Sequence, residues 1–324
     1  MSRPIPVAHG RYAPPAPSRE LTVVSADGAR LHAEVHGPEN APPVVLSHGW
    51  TCSTAFWAAQ IRDLATDHRV IAYDQRGHGR SPASPACTTR ALADDLEAVL
   101  ARTLAPGEKA LIVGHSMGGM TIMAAAARPR FREHAAAVLL CSTGSSRLVA
   151  EARVLPMRAG RVRTWITGRI LGSSAPLGPV TPVAKSILKY ATMGAGSAPH
   201  MVEACARIVH ACPRAVRRAW AGVLEALDLD HGVRELHMPT AVVHGASDRL
   251  TPAVHARALV AALPRCVGLT ELHGVGHMTP IEAPDLVTGR IRDLVGTYVS
   301  GTGAGPEDTH RSSPARIKQT KEGA

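Results

Sequence analysis

Ser116 stands in the stretch KALIVGHSMGGM, residues 109–120, with Gly114 two positions before it and Gly118 and Gly119 just after. An apolar run reads as a strand over 111–113 and a helix over 117–127, which makes Ser116 the hinge between them. A strand that turns so abruptly into a helix strains the backbone of its middle residue. It also leaves no room for side chains two positions to either side, and glycine removes that clash. A hydroxyl held there lies next to the first amides of a helix, whose dipole favours developing negative charge. That suits a nucleophile, although a lone glycine-serine-glycine turn also occurs as a plain bend.

Three other stretches favour the chemical reading. LSHGWT follows the apolar run at 43–46 and sets Gly49 and Trp50 at the end of another strand. Acyl transfer needs two backbone N–H groups to hold an alkoxide-like oxygen, and those of Trp50 and Met117 are the candidates; removing one such donor costs about 3 kcal/mol. Asp248, in ASDRLTP, falls in the loop after the strand at 241–245, and His277, in ELHGVGHMTP, in the loop after the next strand. The order Ser, Asp, His is the one expected of a triad on an α/β sheet of this topology. Other residues of similar type fit less well. His48 and His115 read as loop packing, His273 as part of a strand or its edge, Asp74 as a structural turn residue, and Asp230 as a remote acid.

The elements that must position these groups follow from hydrophobic pattern. Runs at 20–25 and 30–36 flank Asp27-Gly28, the chemistry of a tight hairpin. Short Val, Ile and Leu-rich runs follow at 43–47, 70–73, 110–114, 136–141, 240–245 and 267–272, with helix-length segments between most of them. Strands apolar on both faces and joined by crossovers imply an α/β fold with a mostly parallel sheet flanked by helices. Helices are expected at 53–65, at 89–103 with Asp94, Asp95 and Glu97 on an outer face, at 116–127, near 252–262 and over 280–299. The rhythm stops between 142 and 237, where helices at 153–171, 182–193, 200–212 and 214–227 form an insertion. The expected organisation is a flexible leader over 1–19, a core over 20–141 and 238–299, a helical lid over 142–237, and a disordered tail over 300–324.

The blocks SHGW, YDQRGHGRS (73–81), GHSMGG (114–119), VVHGASDRLTP and GVGHMTPIEAP (274–284) resemble, in order, those of the α/β-hydrolase family, in its serine-nucleophile esterase and lipase branch with a helical lid. The resemblance spans most of the chain from residue 20 to 299 and is specific for fold, much less so for substrate. It implies that Ser116 is the nucleophile, His277 the general base, and Asp248 the group that orients His277 and stabilises its cation. Family members that open epoxides or remove halogen carry aspartate where this chain has Ser116, which argues against those reactions. The implied activity is cofactor-independent hydrolysis of carboxylic esters through an acyl-enzyme. A thioesterase or lipase of an apolar acyl substrate, a cofactor-free haloperoxidase or perhydrolase, and a non-catalytic receptor on the same fold are the alternatives.

Composition narrows the partners. The chain has 324 residues, 45% of them hydrophobic but only 3% aromatic, and no apolar run near the roughly 20 residues that span a bilayer. Prolines interrupt the first residues where a secretion signal needs an unbroken apolar stretch, and six scattered cysteines without CxxC spacing suit reduced thiols, so a cytoplasmic location is expected. No metal-ligand spacing and no phosphate-loop ending occur, so neither metal nor cofactor is expected. The net charge of +10 sits in one segment: twelve basic residues and two acidic ones lie between 145 and 222, and the rest balances. With few aromatics and no binding motif, nucleic acid is not the expected partner. A small ester or thioester is, and the basic insertion suggests transient contact with an anionic lipid or carrier. The four tryptophans, at 50, 57, 165 and 220, suggest an apolar pocket between core and insertion. Oligomeric state has no sequence signature.

Overall fold

The structure is a computed structural model, and it describes residues 10–173, 175 and 177–301. Eight strands form one sheet: β1 (Arg19–Val24), β2 (Arg30–His36), β3 (Pro43–Ser47), β4 (Arg69–Tyr73), β5 (Ala110–His115), β6 (Ala135–Cys141), β7 (Thr240–Gly245) and β8 (Cys266–Leu272). Their spatial order is β1-β2-β4-β3-β5-β6-β7-β8. β2 runs antiparallel to both of its neighbours, and every pair from β4 to β8 is parallel. This is the mostly parallel, helix-flanked α/β sheet that the apolar runs imply.

Helices cover both faces. The core carries α1 (Ala58–Leu64), α2 (Thr89–Thr103), α3 (Met117–Ala125) and α4 (Pro129–His134). Between β6 and β7 lie α5 (Leu148–Glu151), α6 (Arg161–Leu171), α7 (Pro182–Thr192), α8 (Pro199–Ala211), α9 (Arg214–Glu225) and α10 (Asp230–Arg234). The chain closes with α11 (Val254–Ala262), α12 (Thr279–Glu282) and α13 (Pro284–Tyr298). The period of two along each strand divides the core: Val44, Leu46 and Val113 join one apolar cluster, and Val45, Ile112 and Leu140 join the other. Strands buried this way on both faces need apolar residues at every position, which explains why they read as unbroken runs.

Several expectations need correcting. Asp95 does not face outward on α2: its carboxylate is buried and takes Arg76 Nε at 2.7 Å and Nη2 at 2.5 Å. The final helix breaks at Ala283, whose φ of −134° and ψ of 57° reflect the restriction that a following proline places on the residue before it. The helix expected from 153 starts only at Arg161, and α4, α5 and α10 were not anticipated; two of these three are of four and five residues. Part of the expected leader packs onto the body, because Tyr12 is buried and its hydroxyl donates to the Ile281 carbonyl at 2.8 Å. Residues 1–9 of that leader and 302–324 of the expected tail lie outside the described residues.

Candidate active site

Ser116 links β5 to α3 at φ 50° and ψ −117°, a left-handed value that few non-glycine residues adopt. The flanking glycines permit the turn by close approach. A Cβ on Gly114 would lie 2.5 Å from the Gly118 carbonyl, and one on Gly118 would lie 2.0 Å from the Ser47 carbonyl oxygen at the end of β3. The helix therefore closes directly onto two strand ends. Met117 is its first residue, so its amide has no acceptor within the helix.

Trp50 follows β3, in a loop held by neutral histidines. His48 Nδ1 donates to the Gly49 carbonyl at 2.8 Å, while its Nε2 accepts from the Gln75 amide at 3.0 Å. Burial lowers its pKa to about 3, so the ring stays uncharged. His78 acts in the same way: Nε2 accepts from Thr51 N at 3.2 Å, Nδ1 donates to the Arg76 carbonyl at 3.2 Å, and burial lowers the pKa to about 4. Behind them, Thr121 donates to Gln75 Oε1 at 2.8 Å. His48 thus packs the loop.

Asp248 lies just beyond β7, and His277 beyond β8. The carboxylate accepts from the amides of Leu250 and Thr251 at 2.8 and 2.9 Å, from Thr251 Oγ1 at 2.8 Å, and from His277 Nδ1 at 2.8 Å. Burial pushes the Asp248 carboxyl up, but the charge and hydrogen bond of His277, with His244 and the Thr251 amide, outweigh it and hold the group below the ordinary carboxylate value. With Nδ1 donating to a carboxylate, Nε2 is the ring nitrogen of His277 left to accept a proton. The His277 amide donates to the Thr192 carbonyl at 2.8 Å, and its carbonyl accepts from His115 Nε2 at 2.9 Å. His115, stacked on Phe56 with ring centroids 4.4 Å apart, is driven well below the usual histidine pKa by burial and by His277.

Ser116, His277 and Trp50 line one cavity of about 600 Å³ between the core and the insertion. Its insertion side is apolar: Leu148, Leu171, Leu188, Val209 and Leu224 come from five insertion helices, α5 to α9. The tryptophans do not build it as a set. Trp57 and Trp220 are fully buried elsewhere, Trp220 donating to the Arg76 carbonyl at 3.3 Å, and Trp165 faces solvent beside a separate groove. Trp50 alone of the four lines the cavity, and its Nε1 donates to the Arg217 carbonyl of α9 at 3.1 Å.

The structure brings Ser116, Met117, Trp50, Asp248 and His277 to one edge of the sheet; His115 also lines the cavity, with its Nε2 engaged by the His277 carbonyl, while Asp74, Asp230 and His273 lie elsewhere. Asp74 is buried under the 54 and 80 loops, accepting their amides at 2.7 and 2.8 Å, and burial raises it to about 6. Asp230 accepts from Ser145 Oγ at 2.5 Å. His273 lies past the end of β8 and is exposed. Two residues without a sequence assignment matter here. Thr251 touches Asp248 and also approaches His277 Nδ1 at 3.2 Å. Glu282 accepts from the amides of Gly276 and Met278, on either side of His277, and from Gly194 N and Ser197 Oγ of the insertion. The signal for both was spacing: threonine three residues after Asp248, glutamate five after His277.

Comparison with known proteins agrees with this architecture. A family model of the alpha/beta hydrolase fold matches residues 42–176. The chain is 33% identical over 229 residues to "Putative carbamate hydrolase RutD" of Variovorax paradoxus, covering 68% of this chain and 80% of that protein. Among solved structures, a thermophilic esterase from Thermogutta terrifontis superposes with a TM-score of 0.68 at 25% identity, covering 86% of this chain and 99% of that one. An enol-lactonase from Burkholderia xenovorans gives 0.67 at 25% identity, covering 85% and 99%. This chain therefore belongs to the α/β-hydrolase fold family.

Proposed function

We propose that this protein hydrolyses carboxylic esters with an apolar acyl group, through a covalent acyl-enzyme on Ser116. The observation that carries the reading is that His277, which lines the same cavity as Ser116, is held from behind by a 2.8 Å contact of its Nδ1 with Asp248. Ser116 Oγ attacks the ester carbonyl while His277 Nε2 takes its proton, and Asp248 stabilises the imidazolium. The carbonyl oxygen becomes an oxyanion held by the Trp50 and Met117 amides. Collapse breaks the ester C–O bond, His277 returns the proton to the departing alcohol, and the acyl group stays on Ser116. Water, deprotonated by His277, then attacks the acyl carbonyl and releases the acid and free Ser116.

A carbamate is the second reading, supported by similarity to the RutD relative. The cavity favours the ester, since about 600 Å³ of mainly apolar wall would leave a small polar carbamate largely uncontacted. A fluorophosphonate probe, combined with p-nitrophenyl esters, thioesters and carbamates of graded chain length, tests both. Wild type should label at Ser116 and prefer medium or long acyl esters, and Ser116→Ala should lose labelling and turnover. Undiminished turnover by Ser116→Ala would overturn the mechanism, and a preference for small carbamates would overturn the substrate class.

A further inference from the structure

Helices α6 and α7 of the insertion turn large apolar side chains toward water. Val162, Trp165 and Ile170 on one, and Val183, Ile187 and Tyr190 on the other, are between 44% and 68% exposed. On α7 the spacing of four and three residues puts its three on a single stripe. Ile170, Ile187 and Tyr190 also line the cavity, so this apolar surface is the rim of its mouth. Trp165 continues it outward, sharing a shallow groove with Ile170 and Leu177. Single exposed apolar residues need no explanation, but six on two helices that both border one cavity mark a contact surface.

The charges beside it select the partner. Arg158, Arg161 and Arg169 are exposed near these residues, and none forms an ion pair among the described residues. Both acids of the segment 145–222 are already engaged, Glu151 with Arg147 and Glu203 with Lys185 and Arg207. A second copy docking through a twofold axis would set like arginines against each other. An anionic lipid surface offers phosphates to the arginines and an acyl layer to the apolar residues, with Trp165 and Tyr190 suited to the boundary between them. No described helix is long and apolar enough to cross a membrane, so the contact is peripheral.

We infer that the cavity mouth, framed by α6 and α7, docks on anionic lipid surfaces. The docking stands on the patch alone; only its consequence, that an acyl chain enters the cavity from the lipid side, rests on the proposed hydrolase activity. The test is cosedimentation of the full chain with phosphatidylcholine vesicles, either pure or with about one-third phosphatidylglycerol, which sets the surface charge. The protein should pellet with the anionic vesicles and be released by about 0.5 M salt, where screening is nearly complete. At about fivefold per arginine, replacing Arg158, Arg161 and Arg169 with Gln should weaken binding about a hundredfold. Val162→Ser with Val183→Ser should also lose binding while keeping turnover of a short water-soluble ester, which shows the fold intact. Trp165→Phe should keep binding but lose most of the blue shift of tryptophan emission, since Trp57 and Trp220 are already buried and Trp50 lies inside the cavity against its apolar wall. Protein left in the supernatant with both vesicles, or equal binding to both at high salt, overturns the inference. So does a dimer dissociated by Val183→Glu. Ser116→Ala should still pellet, so failure of the hydrolase reading and failure of docking are separable.

Discussion

Glu282 connects the insertion to the loop that carries His277, and replacing it with Gln is the most informative single perturbation. The carboxylate takes Gly194 N and Ser197 Oγ at 2.7 Å on Oε2, Met278 N at 3.1 Å on Oε1, and Gly276 N at 3.1 Å from both oxygens. Glutamine keeps the shape but turns one oxygen into a donor. Its amide oxygen can serve the insertion side, in which case the Met278 amide faces an NH₂ group and the remaining bonds lose their charge assistance. A hydrogen bond to a charged group contributes about 1.5–3 kcal/mol, so one bond lost and the others weakened comes to about 3 kcal/mol. At about 2.1 cal/mol/K per residue, that lowers the unfolding midpoint of a chain this long by roughly 4–5 °C. The kinetic consequence is separate: Gly276 and Met278 bracket His277, and a shift of about 1 Å in a reacting group costs about a hundredfold in rate. Glu282→Gln should therefore lower kcat on a p-nitrophenyl ester by roughly tenfold to a hundredfold with KM nearly unchanged, because the cavity wall is untouched. Ser197→Ala removes one contact on the insertion side only and should lower kcat less than about threefold. A Glu282→Gln enzyme that melts earlier but keeps its kcat would refute the positioning argument and leave Glu282 as structural glue.

Other perturbations test the remaining parts. Asp248→Asn should lower kcat about ten-thousandfold with little change in KM, as expected where a carboxylate fixes the histidine tautomer; steady-state kinetics check it, and an active variant would remove Asp248 from the mechanism. Asp95→Leu leaves the buried Arg76 without its nearest carboxylate and should cost about 3–5 kcal/mol in urea unfolding, while Arg76→Met together with Asp95→Leu should recover much of that. Stability should fall on acidification below about pH 6.5, because unfolding lets His48 and His78 take up protons that the folded state refuses until about pH 3 and 4. Asp74, raised to about 6, offsets one of those two protons, so the three groups leave a net slope of about 1.4 kcal/mol per pH unit between about pH 6 and 4. Denaturation midpoints that stay level across that range would contradict the assignment of neutral buried rings.

What the sequence made legible depended on how far apart the cooperating residues lie. The strands were readable because burial on both faces demands apolar residues at every position, so each run carried its own signal. Ser116, Asp248 and His277 were readable as candidates because each follows a strand, and a parallel sheet gathers the ends of its strands along one edge whatever lies between them. Asp95 was misread for the complementary reason: an acidic pair on a helix looks solvated unless one knows that Arg76, 19 residues earlier, lies beneath it. Trp57 and Trp220 misled in the same way, since an aromatic residue signals burial without naming its neighbours. The cavity wall could not be read at all, because five helices each contribute side chains whose relative placement is set by anchors distant in sequence: Trp220 on the Arg76 carbonyl, Trp50 on the Arg217 carbonyl, and the His277 amide on the Thr192 carbonyl. Those anchors all join the insertion to loops at the Ser116 edge of the sheet. The cavity wall and the groups gathered around Ser116 therefore share hydrogen bonds, and substitutions at these anchors should alter rate as well as affinity.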